Sequence, residues 1–420
     1  MRKGHGKPTL NNNYDVIVIG AGAAGLMAAG TAAAQGKKTL VLERNNRPAK
    51  KVLITGKGRC NVTNNCTEDH FISQVKTNGR FLYSAIAAFS PRDTMAFFER
   101  LGVALKTERG NRVFPVSDQA AEVASALARH AKEQGAQLET ARVTELMLQD
   151  GAVKGVVTDQ GQTFYASAVI IATGGLSYPG TGSTGDGYRL ASQAGHTVTP
   201  TAPALIPIVT NEDWCKRAMG LSLKNVTLSV EDTKRGKNVF SELGEMLFTH
   251  FGVSGPLVLS ASSVMDSKRL PDYRLTIDLK PALTVEQLDK RIQRDFSQNL
   301  NKDFLNSLGA LLPKKLIPVI VNLCDIPPDE KINQITREQR ARLVQMIKAL
   351  TVTPRAFRPI EEAIVTSGGI KVSELDPKTM GSKRCAGLFF AGEVIDVDAY
   401  TGGYNLQIAF STGYLAGLYA

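Results

Sequence analysis

Cysteine is scarce in this chain, and its cysteines are not spaced to hold a metal ion. The five of them are scattered, at Cys60, Cys66, Cys215, Cys324 and Cys385. None forms the C-x-x-C pair that zinc sites use, so we expect no metal site. An odd number of dispersed cysteines is also typical of a reducing compartment.

Long hydrophobic runs are almost absent as well. The one long uncharged stretch, Val16 to Ala34, has the length of a membrane span and follows a basic N-terminus, as a signal anchor would. It is rich in Gly and Ala and poor in Leu and Phe, so we interpret it as a buried strand, turn and helix. We therefore predict a cytoplasmic protein without membrane contact. Residues 1–13 are polar and basic, and we expect them to be poorly ordered.

The sequence also lacks the usual features of a nucleic-acid-binding surface. The net charge is +11, but no lysine or arginine run is long, and there is no aromatic–basic cluster or basic tail. Positive charge alone is compatible with a nucleic acid, an anionic substrate or simple solubility. We expect a small-molecule substrate and no nucleic-acid partner, and the sequence leaves the oligomeric state open.

A nucleotide-binding pattern occupies residues 14–43. An apolar strand over 15–19 runs into G-x-G-x-x-G at the start of a helix. Gly20 permits the tight turn, Gly22 lets a pyrophosphate approach the backbone, and Gly25 lets helix and strand pack closely. The N–H groups that open the helix would bind the phosphates. The cofactor contacts predicted here are Gly20, Gly22, Ala23, Ala24 and Gly25.

The acid at the end of the second strand indicates which dinucleotide is bound. Glu43 follows the strand from Thr39 to Leu42 and would accept both hydroxyls of an adenosine ribose. This favours FAD or NAD over NADP, although Arg44 and Arg47 keep NADP open. A glycine-rich turn without a nucleotide is the alternative, and the combination of strand, helix, spacing and acid argues against it.

A loop dense in glycine, lysine and arginine follows over 44–65. It could be a solvated basic loop, but its position directly after the acid favours cofactor contact. Cys60 and Cys66 invite comparison with flavin disulfide reductases; their spacing is one residue too long, so a single thiol at Cys60 is favoured over a catalytic disulfide. The predicted cofactor contacts are Arg44, Lys51, Gly58, Arg59, Cys60 and Asn61.

Residues 137–158 are predicted to form a hairpin. Gln137 to Leu148 and Val153 to Thr158 have strand patterns, and Asp150-Gly151 would close the turn between them. A strand in this position can pass the adenine of a dinucleotide. Val143 is the candidate for backbone contact there.

The strand over 164–171 ends in small residues, which let a backbone approach a cofactor closely. The predicted contacts in this segment are Thr173, Gly174 and Gly175. A second G-x-G-x-x-G, Gly180 to Gly185, follows Tyr178-Pro179 and not a strand. We interpret it as a loop that opens a helix over 186–193, so the sequence offers no separate NAD(P)H domain.

Prolines at 200, 203 and 207 mark a change in the pattern of the sequence, which we interpret as a domain boundary. Short alternating apolar runs follow, and then a mostly helical region. We predict an α/β protein in which residues 14–199 and 356–420 form the nucleotide-binding domain. Residues 200–283 would form an inserted β-rich domain and residues 284–355 an inserted helical domain, which together cover the cofactor.

The C-terminal part returns to the nucleotide site. An apolar strand over 387–391 leads into a Gly-Glu turn whose acid would hold polyol hydroxyls. An Ala/Gly-rich final helix would direct its positive N-terminal end towards an anion. The predicted contacts are Gly392, Glu393, Gly403, Tyr404 and Asn405.

These motifs resemble one protein family in order along almost the whole chain. The N-terminal fingerprint and the segments 56–64, 172–187, 247–256 and 391–407 are similar to those of bacterial NAD(P)/FAD-dependent oxidoreductases, the aminoacetone-oxidase-like and bile-acid-reductase-like flavoproteins. The resemblance implies tightly bound FAD, a Rossmann-like FAD-binding domain of the glutathione-reductase type, and inserted β-barrel and helical domains. Lys57 stands where many relatives have glycine.

The predicted activity is hydride or electron transfer between a small organic substrate and the N5 atom of the flavin. NAD(P)H is a candidate transient electron donor, and the electron acceptor is left open. Tyr178 and His250 are the candidates for substrate polarisation or proton transfer, and a structural role is the alternative for His250. A flavin-dependent factor that acts on RNA and a non-catalytic flavin sensor are the rival functions.

Overall fold

The computed structural model describes residues 12–420. We expected residues 1–13 to be poorly ordered. Residues 1–11 of this segment lie outside the described residues, and the first strand begins at Asn13. Within the described part, no helix is both long enough and apolar enough to cross a membrane.

The strands are numbered in chain order. They are β1 Asn13–Ile19, β2 Thr39–Glu43, β3 Thr63–Asn64, β4 Val75–Thr77, β5 Leu105–Glu108, β6 Arg112–Pro115, β7 Gln137–Thr140, β8 Val143–Gln149, β9 Ala152–Thr158, β10 Thr163–Ile171, β11 Val198–Ala204, β12 Ile208–Thr210, β13 Ser222–Asp232, β14 Lys237–Phe248, β15 Gly252–Ser254, β16 Tyr273–Asp278, β17 Leu350–Val352, β18 Pro354–Phe357, β19 Val365–Ile370, β20 Leu388–Phe390 and β21 Asp398–Ala399.

The helices are numbered in the same way. They are α1 Ala23–Ala34, α2 Lys50–Ile54, α3 Glu68–Ser73, α4 Tyr83–Ala88, α5 Pro91–Arg100, α6 Ala120–Glu133, α7 Asp186–Gln193, α8 Trp214–Arg217, α9 Pro256–Ser262, α10 Val285–Ser297, α11 Phe304–Ser307, α12 Ile317–Cys324, α13 Arg337–Lys348 and α14 Tyr404–Tyr419.

The chain divides into two compact units, of which the first contains the described residues up to Pro203 and Ile364–Ala420. Its main sheet has the order β7-β2-β1-β10-β9-β8, and β20 pairs with β10. Strands β7, β2, β1, β10 and β20 are parallel to one another. Residues 16–19 of β1 are at most 5% exposed, which explains their unbroken apolar run, because a parallel strand is covered on both faces.

Small residues let the first and last helices of this unit pack closely. A Cβ atom at Gly413 or Gly417 would lie 2.3 Å from the carbonyl oxygen of Ala24 or Ala28, respectively. Larger residues at these positions would push α14 away from α1. The Ala/Gly-rich composition of α1 and α14 therefore serves the close contact between two buried helices.

The predicted hairpin is present as β8 and β9, joined by Asp150 and Gly151, which both have positive φ angles. The prediction of one strand over 137–148 is wrong in one respect. Residues 137–140 form the separate strand β7, which pairs in parallel with β2. The break occurs where the Ala141 N–H donates to the carbonyl oxygen of Glu43 at 2.9 Å.

The second unit is Ala204–Ala363. Its seven-stranded sheet has the order β17-β16-β13-β14-β15-β12-β18, with antiparallel pairs throughout. Capping boxes of Thr284 with Gln287 and of Thr336 with Gln339 begin α10 and α13. Strands and helices of this unit share one hydrophobic core, and the division at 283/284 stays a prediction.

Candidate dinucleotide-binding site

The glycine turn between β1 and α1 has the geometry of a phosphate cradle. Gly20 has a φ angle of +98°, and a Cβ atom at Gly25 would lie 1.9 Å from the Gly20 carbonyl oxygen, so the turn admits only glycine at both positions. A Cβ atom at Gly22 would meet nothing within 4 Å. Since α1 has no side-chain cap, its first N–H groups can bind an anion in the space beside Gly22.

Glu43 is fixed against this turn. Its Oε2 accepts from the Ala21 N–H at 2.8 Å, and its Oε1 accepts from the backbone and side-chain nitrogens of Asn45 at 2.8 and 2.7 Å. These bonds orient the carboxylate, whose remaining lone pairs can accept ribose hydroxyls. Val143, the predicted adenine neighbour, is the buried first residue of β8.

Asp186, at the start of α7, forms ion pairs with arginines. Arg142 Nη2 lies 2.8 Å from Asp186 Oδ1 and Arg44 Nη1 lies 3.1 Å from Oδ2. The hydrogen bond from Arg142 is the main cause of the lowered pKa of the Asp186 carboxyl. As predicted, the second glycine motif opens α7. The guanidinium of Arg44 is thus paired within the protein.

Lys51 and Glu393 form the centre of a second polar network. Lys51 Nζ donates to Glu393 Oε2 at 2.6 Å and to Ser177 Oγ at 2.7 Å. Glu393 Oε1 accepts from Ser177 Oγ and from the Thr366 N–H, each at 2.9 Å. A Cβ atom at Gly175 would lie 2.4 Å from Thr366 Oγ1. Three predicted residues, Lys51, Gly175 and Glu393, therefore come together.

The N-terminus of α14 is held by the segment after Cys60. The Asn61 amide donates to the carbonyls of Thr63 and Val113 and accepts from the Gly403 N–H at 3.0 Å, in the orientation that satisfies all three neighbours. Gly403 has a φ angle of +98°, and a Cβ atom there would lie 2.3 Å from the Thr63 backbone. Asn61 therefore positions the helix start.

The two residues that follow Gly403 are held within the protein as well. Asn405 bonds the backbone of Ala399 through both side-chain atoms, at 3.0 and 2.8 Å. Tyr404 is buried and packs edge-on against Phe71, with 5.5 Å between ring centroids. Both side chains stabilise the first turn of α14.

Arg59 is ion-paired within the protein, and Cys60 is buried. Arg59 pairs with Glu108 and Asp118, and its guanidinium lies 4.2 Å from the centroid of the Phe114 ring. Burial raises the pKa of the Cys60 thiol to about 12. Cys60 and Cys66 are both free, so the structure contains no disulfide between them. Gly58 has a φ angle of +84° and open space around its Cα.

Two buried hydroxyls of the first unit have no hydrogen-bond partner among the described residues: Thr173 Oγ1 and Tyr188 Oη. An unsatisfied buried hydroxyl costs about 1–3 kcal/mol, and such groups mark places where a ligand or water completes the structure. Thr173 is a predicted contact, beside Gly174 with its φ angle of +74°. Sequence reasoning missed Tyr188, because a tyrosine in a helix carries no signal of an unpartnered hydroxyl.

The two candidate catalytic residues belong to different units. Tyr178 has a φ angle of +53°, which is unusual for a bulky side chain and typical of functional loops. His250 is exposed in the turn between β14 and β15, and its ring packs edge-on against Phe251 with 5.0 Å between centroids. Their catalytic roles stay predictions.

The first unit also contains a Ser-His-Glu cluster. Ser382 Oγ is 2.7 Å from His196 Nε2, and His196 Nδ1 is 3.2 Å from Glu374 Oε2. The arrangement is similar to a hydrolytic triad. However, Ser382 Oγ also accepts from the N–H groups of Arg384 and Cys385, which leaves it no lone pair for attack. The cluster is therefore a structural clamp.

The fold and site define the class of the protein. A glycine cradle and a terminal acid lie at the carboxyl ends of the parallel strands β1 and β2, and the Gly392–Glu393 turn follows β20, as in FAD-binding Rossmann flavoproteins. The family model described as HI0933-like protein Rossmann domain matches residues 14–419, and the chain belongs to this family.

Curated relatives cover nearly the full length. A 3-dehydro-bile acid delta(4,6)-reductase of Clostridium scindens is 32% identical over 95% of this chain and 97% of its own length. A ribosomal RNA dihydrouridine synthase of Escherichia coli is 31% identical over 96% of each chain. The predicted family, the FAD-binding Rossmann fold and the assignment as a flavoprotein oxidoreductase are confirmed.

Among solved structures, a 3-ketosteroid delta1-dehydrogenase from Sterolibacterium denitrificans has a TM-score of 0.50 and 14% identity. The match covers 97% of this chain and 99% of that one. At this level of identity, the likeness concerns the fold alone.

Proposed function

We propose that this flavoprotein reduces a carbon–carbon double bond conjugated with a carbonyl group, in a small organic substrate. The observation that carries the proposal is the full-length similarity to a relative whose name describes a delta(4,6)-reductase of a 3-dehydro bile acid. The dihydrouridine synthase of E. coli is named for a product that is also a reduced ring beside a carbonyl. The two relatives thus share a reaction class and differ in substrate.

The residues of the first unit would hold FAD in an extended form. The cradle at Gly20, Gly22 and Gly25 would bind the pyrophosphate, and Glu43 would bind the adenosine ribose. When bound, FAD reduced by NADH or NADPH supplies a hydride, and a proton completes the addition to the double bond. The start of α14 would place its positive end near the flavin.

Lys51, Ser177 and Glu393 would hold the middle of the cofactor. The Glu393 carboxylate has a fixed orientation because Lys51 binds its Oε2 and Ser177 its Oε1, and Oε2 keeps a lone pair. Hydroxyl groups of a ribityl chain are suitable donors to such a carboxylate. Gly392 has a φ angle of +76°, and a Cβ atom there would lie 2.8 Å from Ala24 Cβ, so this turn packs closely against α1, beside the glycine cradle.

A small substrate is favoured over RNA by the pairing of the cations. Arg44, Lys51 and Arg59, in the segment after β2, are each bound to carboxylates, which reduces the positive charge that this segment offers to RNA. The alternative, a uridine in ribosomal RNA, is favoured by the name of the E. coli relative and by the net charge of +11. We keep it as the second candidate.

The first test is spectroscopic. The purified protein should show flavin absorption bands, and anaerobic addition of NADH or NADPH should bleach them. Flavin bands that neither nucleotide bleaches would contradict the reductase proposal and indicate an oxidase. A colourless protein that does not take up added FAD would overturn it entirely.

The second test separates the two substrates. The protein, reduced under anaerobic conditions, is mixed with a 3-oxo-Δ4,6 steroid or with ribosomal RNA from cells that lack the gene. We expect the steroid to restore the flavin bands and to gain two hydrogens by mass spectrometry. If dihydrouridine forms in the RNA and the steroid is not reduced, the substrate is RNA and the proposal of a small substrate is wrong. The variant Glu43→Arg, which we expect to bind no FAD, is the control.

A further inference from the structure

A cavity of about 320 Å³ in the first unit is lined by residues other than those of the dinucleotide site. Its volume is at the lower end of the range of small-molecule sites, about 300–1,000 Å³. The segment after β3, the helices α3 and α5, and the turn between β5 and β6 supply its lining: Asn65, Cys66, Thr67, His70, Arg92 and Asn111. Among the described residues, no acidic side chain lines this cavity.

Four side chains of the lining carry N–H donors that the protein itself does not use. Within residues 12–420 no ion pair and no side-chain hydrogen bond is formed by Asn65, His70, Arg92 or Asn111. The preceding amide, Asn64, is in contrast bonded to the carbonyls of Gly110 and Gly402. All four donors are exposed, so they can bind a ligand that enters the cavity from solvent.

The backbone that carries the two amides of the lining is held in place. The Asn65 N–H donates to the Asn111 carbonyl oxygen at 2.7 Å. Next to this pair, Asn64 Nδ2 donates to the Gly110 carbonyl oxygen at 3.0 Å. The two bonds fix the end of β3 against the turn before β6, so the amides of Asn65 and Asn111 start from a common frame.

The helices that carry His70 and Arg92 also begin at fixed points. Thr67 caps α3 and accepts from the His70 N–H at 3.4 Å. Ser90 and Asp93 form a capping box at the start of α5. The Asp93 carboxylate accepts there from the N–H and the hydroxyl of Ser90, at 2.8 and 2.6 Å. The acid closest to Arg92 in the chain is therefore occupied by the helix cap.

We propose that this cavity binds an oxyanion, the carboxylate or phosphate group of a small organic molecule. A guanidinium together with amide N–H groups is a donor set that suits the oxygens of these anions. Arg92 pairs with the charge, and Asn65, His70 and Asn111 donate to the oxygens. The site lies outside the residues assigned to FAD, and the inference does not depend on the proposed reduction.

The thiol of Cys66 reports whether the cavity is occupied. Cys66 is half-buried in the lining, whereas the other four cysteines are buried. Burial raises the pKa of its thiol to about 11, so its reaction with N-ethylmaleimide at pH 8 is slow and can be followed by mass spectrometry. Inorganic phosphate should slow this labelling, with half the full effect at about 1–10 mM. Sodium chloride of the same ionic strength should not.

Arg92→Gln is the test variant and Arg100→Gln the matched control. Arg100 is exposed at the other end of α5, so each variant removes one positive charge from the same helix. Arg92→Gln should need about tenfold more phosphate or above for the same protection of Cys66. Arg100→Gln should need as much as the wild type. Labelling with and without phosphate is compared within each variant, which removes differences in the reactivity of the thiol itself.

Acetate in place of phosphate distinguishes the two kinds of oxyanion. Protection of Cys66 by both anions, or by one of them, supports the site and names its ligand class. Protection by neither anion overturns the proposal. So does equal protection in Arg92→Gln and Arg100→Gln, because the anion would then not be bound by Arg92. These measurements need no flavin reduction, so their failure is distinct from a failure of the proposed function.

Discussion

Lys51 Nζ lies 2.6 Å from Glu393 Oε2, although 342 positions of the chain separate the two residues. Both side chains are less than a quarter exposed. The pair joins α2, which follows the nucleotide-binding β-α-β unit, to the turn after β20. It thereby connects the two chain segments that form the first unit.

This pair should contribute measurably to stability. In a double-mutant cycle with Lys51→Met and Glu393→Gln, we expect a coupling free energy of about 1–2 kcal/mol, because a partly buried, charge-assisted hydrogen bond is stronger than a surface ion pair. Urea unfolding of the apoproteins measures it. The pair Lys216–Asp213, with side chains 62% and 89% exposed, is the control and should show coupling near zero. Equal coupling in both cycles would contradict the expectation.

The glycine turn allows a prediction that separates folding from binding. Gly25→Ala should lower the free energy of unfolding by about 3 kcal/mol or more, because its Cβ atom would lie 1.9 Å from a backbone oxygen. Gly22→Ala should leave the apoprotein as stable as the wild type, since its Cβ atom meets nothing within 4 Å. It should still weaken FAD binding by occupying the phosphate space. If Gly22→Ala binds FAD as tightly as the wild type, the pyrophosphate does not lie beside Gly22.

Glu43 should determine the affinity for the adenosine ribose. We expect Glu43→Gln to weaken FAD binding about tenfold or more, because the charged acceptor of two hydroxyls is lost. Fluorescence titration of the apoprotein measures the change. The control is Glu139→Gln on β7, since Glu139 pairs with Leu42, the neighbour of Glu43 on β2. This variant also loses one carboxylate but should bind FAD with unchanged affinity. An unchanged affinity in Glu43→Gln would show that the ribose lies elsewhere.

The thiol of Cys60 should be inert in the native protein. Burial raises its pKa to about 12, and thiolates are the reactive form. At pH 8, a disulfide reagent such as dithionitrobenzoate should therefore not modify Cys60 until the protein is unfolded. Cys60→Ala should retain the reaction with NAD(P)H. Rapid modification of Cys60, identified by mass spectrometry, would reopen the redox-disulfide alternative.

The sequence was sufficient where function follows from local backbone pattern. The turn at Gly20–Gly25, the acid at Glu43 and the start of α7 at Asp186 depend on residues close in the chain, so periodicity and glycine spacing predicted them. The hairpin at Asp150-Gly151 was predictable for the same reason. For β7 the local pattern was insufficient, because residues 137–140 pair with β2 and residues 143–149 pair with β9, and these partners are set by the tertiary structure.

By itself, the sequence thus determined the nucleotide-binding unit and the family resemblance, because these depend on spacing along the chain. Only the tertiary structure decided which side chains meet across long separations. It paired Lys51 with Glu393, paired Arg59 with Glu108 and Asp118, and left Tyr188 Oη without a hydrogen-bond partner among residues 12–420. Such contacts depend on how β20 and α7 pack against the first strands, and no local pattern encodes the partner of a buried polar group.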